Sequence, residues 1–197
     1  MSFKGIIFDL DGTIIDVPYD WPKIRIKLGM QGTSILSALE ALAEPERTRK
    51  LRLLKRYEDE ATRQARLKPG TKALLGFLAL KKLKTALVSN NSRRNVDLIL
   101  AKFGLAFDCI LTRECGLWKP SGKPLRKAMR LLGLKSQECI AVGDSHYDLL
   151  AAADAGIEKV FLISRDKGRF GGSGAELCFS LGALQRKIGQ MLRNGKS

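Results

Sequence analysis

The chain has 197 residues, enough for one domain of ordinary size or one domain with a modest insertion, and its 45% hydrophobic content supplies a sizeable core. Lys and Arg number 35 against 20 Asp and Glu, a formal charge of +15 that attracts anions without naming one. Nucleic acid, phosphorylated metabolites and anionic surfaces stay open, beside a plain solubilising role. No apolar run reaches membrane-spanning length, and Ile6 to Phe8 is too brief for a signal peptide, so a soluble, cytoplasmic protein without a membrane partner is expected. Cys109, Cys115, Cys139 and Cys178 have no C-x-x-C spacing and sit beside apolar residues, so they read as small buried hydrophobes rather than a zinc site or a disulfide frame.

FKGIIF (3–8) is the first predicted strand. From about Pro18 to Lys68 no strand pattern appears. ILSALEALAE (35–44) has helical spacing, and 45–66 continues as a long helix rich in Arg, Lys and Glu. This is more chain than one crossover needs, so 17–68 reads as a small helical lid inserted after the first strand, with 1–16 and 69–197 forming the core domain. A plain long crossover helix is the alternative. After Pro69-Gly70, helices predicted at 71–82, 92–103, 122–132 and 145–155 alternate with strands KTALV (84–88), FDCIL (107–111), ECIAV (138–142) and KVFLI (159–163). Gly104, Gly133 and Gly156 stand at or just past helix ends, the usual place of a left-handed cap. SRDKGRFGGSGAE (164–176) reads as a polar surface loop that lacks the Lys-Ser/Thr ending of a phosphate-binding loop, and 180–193 as a last amphipathic helix. Nearly continuous apolar strands alternating with helices predict an α/β fold, a doubly wound parallel sheet covered on both faces.

In such a sheet ligands bind beyond the carboxyl ends of the strands. Asp9 and Asp11 stand at that end of the first strand, Ser89, Asn90 and Asn91 after TALV, and Asp144, Ser145 and Asp148 after CIAV. Any one of these groups alone reads as a helix cap; three strands in step do not. Four converging carboxylates repel one another unless neutralised. An oxygen-rich set suits Mg²⁺, which keeps waters for a phosphate to displace; Ca²⁺ is the alternative, without an EF-hand loop. WKPSGKP (118–124) offers Lys119 and Lys123 to hold a phosphate beside the acids.

DLDGT after a hydrophobic strand, VSNNS, KPSGKPL and VGDSHYD, in this order, resemble the four motifs of the haloacid dehalogenase superfamily over roughly 3–163. The resemblance implies a Rossmann-like core with a C1-type cap between the first two motifs and phosphoglycolate-phosphatase-like or nucleotidase-like chemistry on a small phosphorylated metabolite. It implies Asp9 as the nucleophile that forms an aspartyl-phosphate, and Asp11 as general acid and then base. Asp11 also separates the phosphatase branch from the dehalogenases, which lack an acid there. Ser89 and the Asn90 backbone amide would bind the phosphoryl group, and Lys119 would offset its charge, with Lys123 as the fallback. Mg²⁺ would take Asp9, the backbone carbonyl of Asp11 and Asp144, with Asp148 direct or through water.

A phosphosugar mutase of the β-phosphoglucomutase type shares every one of these residues and is the nearest rival. A basic nucleic-acid-associated protein ranks behind both, for want of an aromatic-basic recognition motif. His146 lies inside the fourth motif and is read as a partly exposed helix residue; Tyr19 and Trp21 either touch substrate or pack the hinge; Asp16 steadies the hinge. The Arg-rich helix 47–66 is read as a solvated face.

Overall fold

The computed structural model describes residues 3–30, 34–166, 170 and 174–194. Every residue of β1 (Gly5–Phe8) is buried, and a second strand, β2 (Ile15–Asp16), follows after a tight turn. Helices α1 (Trp21–Leu28), α2 (Ile35–Glu40) and α3 (Glu46–Gln64) come next, and β3 (Arg66–Leu67) forms a separate two-stranded sheet with β2. The alternation then runs α4 (Thr71–Leu80), β4 (Lys84–Val88), α5 (Arg93–Phe103), β5 (Cys109–Leu111), α6 (Lys123–Leu132), β6 (Cys139–Gly143), α7 (His146–Asp154), β7 (Lys159–Ile163), β8 (Glu176–Cys178) and α8 (Leu181–Asn194).

The main sheet is ordered β5-β4-β1-β6-β7-β8, with all neighbouring strands parallel. The chain starts at the centre, steps outward through β4 and β5, then crosses to the other side of β1 and steps outward again. The direction of winding therefore reverses between β1 and β6, and such a switch point opens a crevice at the strands' carboxyl ends. The fold class is the expected one, a Rossmann-like parallel sheet flanked by helices with an inserted helical cap.

Alternate strand residues bury opposite faces, as the pleat requires. Ile7, Ala86, Val88, Ala141, Val160 and Leu162 pack with Leu125, Ala128, Met129 and Leu132 of α6 and Ala151 and Ala152 of α7. Ile6, Phe8, Leu87, Ile140, Val142 and Phe161 alternate with them and are equally buried, and Lys187 of α8 lies over the Phe161 ring at 5.6 Å. Gly104 and Gly133 end α5 and α6 in the left-handed conformation, at φ 63° and 65°. Cys109, Cys139 and Cys178 are buried and Cys115 half-buried, and all four are free thiols.

The chain divides into two compact units, Val17–Arg66 and the remainder. The inserted unit has its own small core of Ile24, Leu28, Met30, Ile35, Leu39 and Leu54, with Tyr19 and Tyr57 packed against it. Asp20 caps α1 by accepting from the Lys23 N–H at 3.0 Å. Tyr19 and Trp21 stack on each other with ring centroids 4.5 Å apart. In the larger unit Asp16 pairs with Lys68.

Two details of the sequence reading need correction. The first strand and FDCIL are shorter than predicted, starting at Gly5 and Cys109, and β8 begins at Glu176, the last residue of the expected loop, in a stretch where no strand is predicted. Lys167 to Arg169 and Gly171 to Ser173 of that Gly-rich stretch lie outside the described residues. No helix among the described residues is long and apolar enough to cross a membrane. Ile140, fully buried on a strand next to β1, should cost about 2–5 kcal/mol when cut to Ala. Urea unfolding of Ile140→Ala measures this, and a loss under about 1 kcal/mol would show that the site collapses around the deletion.

Candidate active site

β1 and β6 deliver the first two carboxylates. The Asp9 N–H donates to the Val142 carbonyl at 2.9 Å, which extends the strand pairing by one residue and fixes Asp9 against β6. After Asp9 the chain turns sharply. The Ile14 N–H returns to the Leu10 carbonyl at 2.9 Å, and the Gly12 N–H reaches the Ile15 carbonyl at 2.8 Å. Gly12 takes φ 83°, and a Cβ there would fall 2.1 Å from Asp144 Oδ2. Glycine follows Asp11 because this turn must adopt a left-handed conformation and lie against the carboxylate that ends β6. Gly143 answers the same need on the other side, since its Cβ would sit 2.2 Å from Asp148 Cγ.

Asp9, Asp144 and Asp148 each present a carboxylate oxygen within 4.8 Å of the others. Lys119 is the counter-charge. Its Nζ donates to Asp9 Oδ1 at 2.6 Å and to Asp148 Oδ1 at 2.5 Å, and it is only 5% exposed. Ile7, Phe8, Val88, Leu125, Ala141 and Val142 surround this trio with apolar surface. Burial therefore pushes Asp9 from 3.8 up to about 6, against the pull of Lys119, while the Asp148 charge adds to the rise. For Lys119 burial works against the ammonium, but Asp148 and Asp9 outweigh it and hold the side chain above the ordinary lysine range.

The loop that carries Lys119 is anchored at both ends. The Asn90 side chain pairs with the Lys119 main chain, Nδ2 to the carbonyl and Oδ1 from the N–H, both at 2.8 Å. At the far end the Gly122 N–H donates to Asp154 Oδ2 at 2.5 Å, and a Cβ on Gly122 would meet the Ala155 nitrogen at 2.5 Å. Asp148 is held equally firmly. Its Oδ2 accepts from the Ser145 hydroxyl at 2.6 Å and from the Ser145 and Asp144 N–H groups at 3.1 and 3.2 Å, which caps α7.

Ser89, Asn90 and Asn91 follow β4, as the spacing predicts. The Ser89 N–H donates to the Leu111 carbonyl at 3.0 Å, and Ser89 Oγ accepts from the Asn91 N–H at 3.0 Å. Lys123 is exposed at the start of α6, away from the buried position that Lys119 fills. His146 is exposed, with its ring against Phe170 at 4.9 Å. Asn91, which the sequence places at this edge without a role, has its Nδ2 3.2 and 3.4 Å from the two carboxylate oxygens of Asp11. The signal was present, an Asn doublet at the end of a core strand.

The donor set fits a hard divalent cation. All the donors in the cluster are carboxylate oxygens. The three carboxylates converge beside the apolar side chains that end the strands, and the two glycines keep the space around Asp144 and Asp148 clear of Cβ atoms. Both Asp148 oxygens also accept hydrogen bonds, one from Lys119 and the other from Ser145.

The strand order, the inserted helical unit and a carboxylate–lysine cluster at the switch point define a Rossmann-like hydrolase with a cap. The profile of the haloacid dehalogenase-like hydrolase family matches residues 18–162, and the chain belongs to that family. A haloacid dehalogenase-like hydrolase domain-containing protein of Arabidopsis thaliana is 27% identical over 180 residues, covering 85% of this chain and 73% of its own. The pyrophosphatase PpaX of Anoxybacillus flavithermus is 28% identical over 190 residues, covering 86% of this chain and 87% of its own. Among solved structures, a hydrolase from Pseudomonas syringae superposes with a TM-score of 0.78 at 20% identity, covering 95% of this chain and 98% of its own. CbbY from Rhodobacter sphaeroides in complex with phosphate gives 0.70 at 23%, covering 92% and 96%. At these identities the structural likeness is one of fold.

Asp9 holds its proton more tightly in the folded chain than in the unfolded one, so this group subtracts stability from the metal-free protein as pH climbs from about 4 through about 6. Carboxyl NMR on metal-free protein should place the Asp9 midpoint near 6, and Lys119→Met should raise it further by removing the charge that favours the carboxylate. A midpoint at or below about 4, the ordinary aspartate value, would contradict the buried pairing.

Proposed function

We propose that this protein is a Mg²⁺-dependent phosphatase that hydrolyses a small phosphomonoester through an aspartyl-phosphate on Asp9. The observation that carries the reading is the buried Asp9 carboxylate, clamped by Lys119 beside Asp144 and Asp148 at the switch point of the sheet. A nucleophile of this kind must be fixed in place and kept from diffuse solvation, and Lys119 does both.

In the first half-reaction an Asp9 oxygen attacks phosphorus. The bond from phosphorus to the leaving oxygen breaks as the Asp9 O–P bond forms, and Asp11 gives its proton to the departing oxygen. In the second, Asp11 takes a proton from water, the water oxygen displaces Asp9 from phosphorus, and inorganic phosphate leaves with both acids restored. Ser89 and the Asn90 backbone N–H bind phosphoryl oxygens, and Lys119 places positive charge against those that gain charge in the transition state. Mg²⁺ would be held by Asp9, the Asp11 carbonyl and Asp144, with Asp148 acting through water. When bound it supplies further stabilisation of the equatorial charge.

The likeness to PpaX pyrophosphatases and to the phosphoglycolate phosphatase of Rhodospirillum rubrum supports a small phosphorylated substrate. The domain limits that accompany this reading are 1–16 and 69–197 for the catalytic core and 17–68 for the cap. Asp9→Asn should lower hydrolysis of an aryl phosphate by at least about a thousandfold while circular dichroism stays unchanged. Substantial turnover by that variant would remove Asp9 as nucleophile. Chelation with EDTA should silence the wild type and Mg²⁺ should restore it; EDTA-resistant activity would contradict the metal assignment. A screen that includes phosphoglycolate and pyrophosphate should give phosphate release without a sugar bisphosphate primer, whereas a requirement for the primer would make the protein a mutase.

A further inference from the structure

Ser89 and Asn90 have tasks in the scheme above, and Asn91 has none. Yet Asn91 is only 4% exposed and is held through main chain and side chain alike. Its N–H donates to Ser89 Oγ at 3.0 Å, and its Oδ1 accepts from the Ser92 N–H at 2.8 Å and from Asn95 Nδ2 at 3.4 Å. The Ser92 N–H can only donate, so turning the Asn91 amide over would set its NH₂ against a donor. The Nδ2 edge must therefore face Asp11, whose two oxygens lie at 3.2 and 3.4 Å.

Asn95 adds an independent observation. It is fully buried on α5 beside Val96, Ile99 and Leu100, and its Oδ1 has no hydrogen-bond partner among the described residues. A buried carbonyl oxygen left unpaired is destabilising, a cost that an apolar side chain at that position would avoid. What Asn95 supplies in return is a donor behind Asn91 Oδ1. The line Asn95, Asn91, Asp11 runs from the core of α5 to a carboxylate at the mouth of the site.

We propose that Asn91, backed by Asn95, is a positioning residue for Asp11: its side-chain amide spans both Asp11 oxygens and sets the direction in which that carboxyl hands over its proton. The proposal rests on the reading of Asp11 as the proton carrier. Asn91 touches neither the reacting phosphorus nor the leaving group in this scheme; it acts through the orientation of Asp11.

The test compares Asn91→Ala with wild type on a simple alkyl phosphate, whose leaving oxygen needs a proton, and on p-nitrophenyl phosphate, whose leaving group departs without one. The variant should lose about 10- to 100-fold in kcat/KM on the alkyl phosphate, within the range that general-acid catalysis supplies. The pre-steady-state burst of nitrophenolate should slow no more than about threefold, because proton donation contributes little there. In an Asp11→Asn background the same Ala substitution should cost no more than about threefold on the alkyl phosphate, since the carboxyl it orients is gone. Equal losses on the two substrates, or losses that multiply with Asp11→Asn, would overturn the proposal. Asn95→Ala should show the same substrate selectivity at a few-fold, and carries the test if Asn91→Ala does not fold. Asp11→Asn alone distinguishes the two levels: wild-type alkyl phosphate turnover by that variant would defeat the reading of Asp11 itself.

Discussion

Lys119 between Asp9 and Asp148 is the interaction on which the rest of the site depends. Burying an ion pair costs more than its attraction returns unless the geometry is good and the remaining lone pairs are satisfied. Here Asp148 caps α7 with its second oxygen, and Asn90 grips the main chain on either side of the lysine's Cα. One cation thus ties together β1, α7 and the loop before α6, three segments far apart in sequence. The same lysine sits where the phosphoryl charge of the proposed reaction would develop.

The fold explains why these groups meet. A switch point between β1 and β6 leaves room at the carboxyl edge, and the residues that end these strands and β4 fall on that edge because the register is fixed by Phe8 beside Val142 and Leu87. Gly12 and Gly143 then let the two turns close on the carboxylates. Aspartates that would be costly in a core become tolerable because counter-charge, main-chain donors and a hard-cation donor set are built around them.

How much of this was legible in the sequence follows from distance along the chain. Strands β1, β4, β6 and β7 could be read because four or five consecutive buried residues leave a continuous apolar run. β8 could not, because a three-residue edge strand after a Gly-rich stretch has too few positions to show a period. The gathering of Asp9, Ser89 and Asp144 at one edge was legible from strand ends alone. The contact of Asn91 with Asp11 was not, since it spans 80 positions and involves an Asn whose local pattern is that of a helix start. Nor was the double duty of Asp148, which looks like an ordinary cap until Lys119 is seen on its other oxygen. On the inserted unit, the Arg-rich helix reads as expected in part: Arg49, Arg52 and Arg56 are exposed, while Lys50 pairs with Glu46 and Arg63 with Glu60.

The central claim is that Asp9 itself becomes phosphorylated. Rapid acid quench of the enzyme during turnover, followed by peptide mass spectrometry, tests it most directly. The account predicts an acid-stable, base-labile phosphoryl group on the peptide that contains Asp9, appearing within the first turnover and decaying as phosphate is released. Phosphate release at full rate with no phosphoryl group ever found on Asp9 would contradict it.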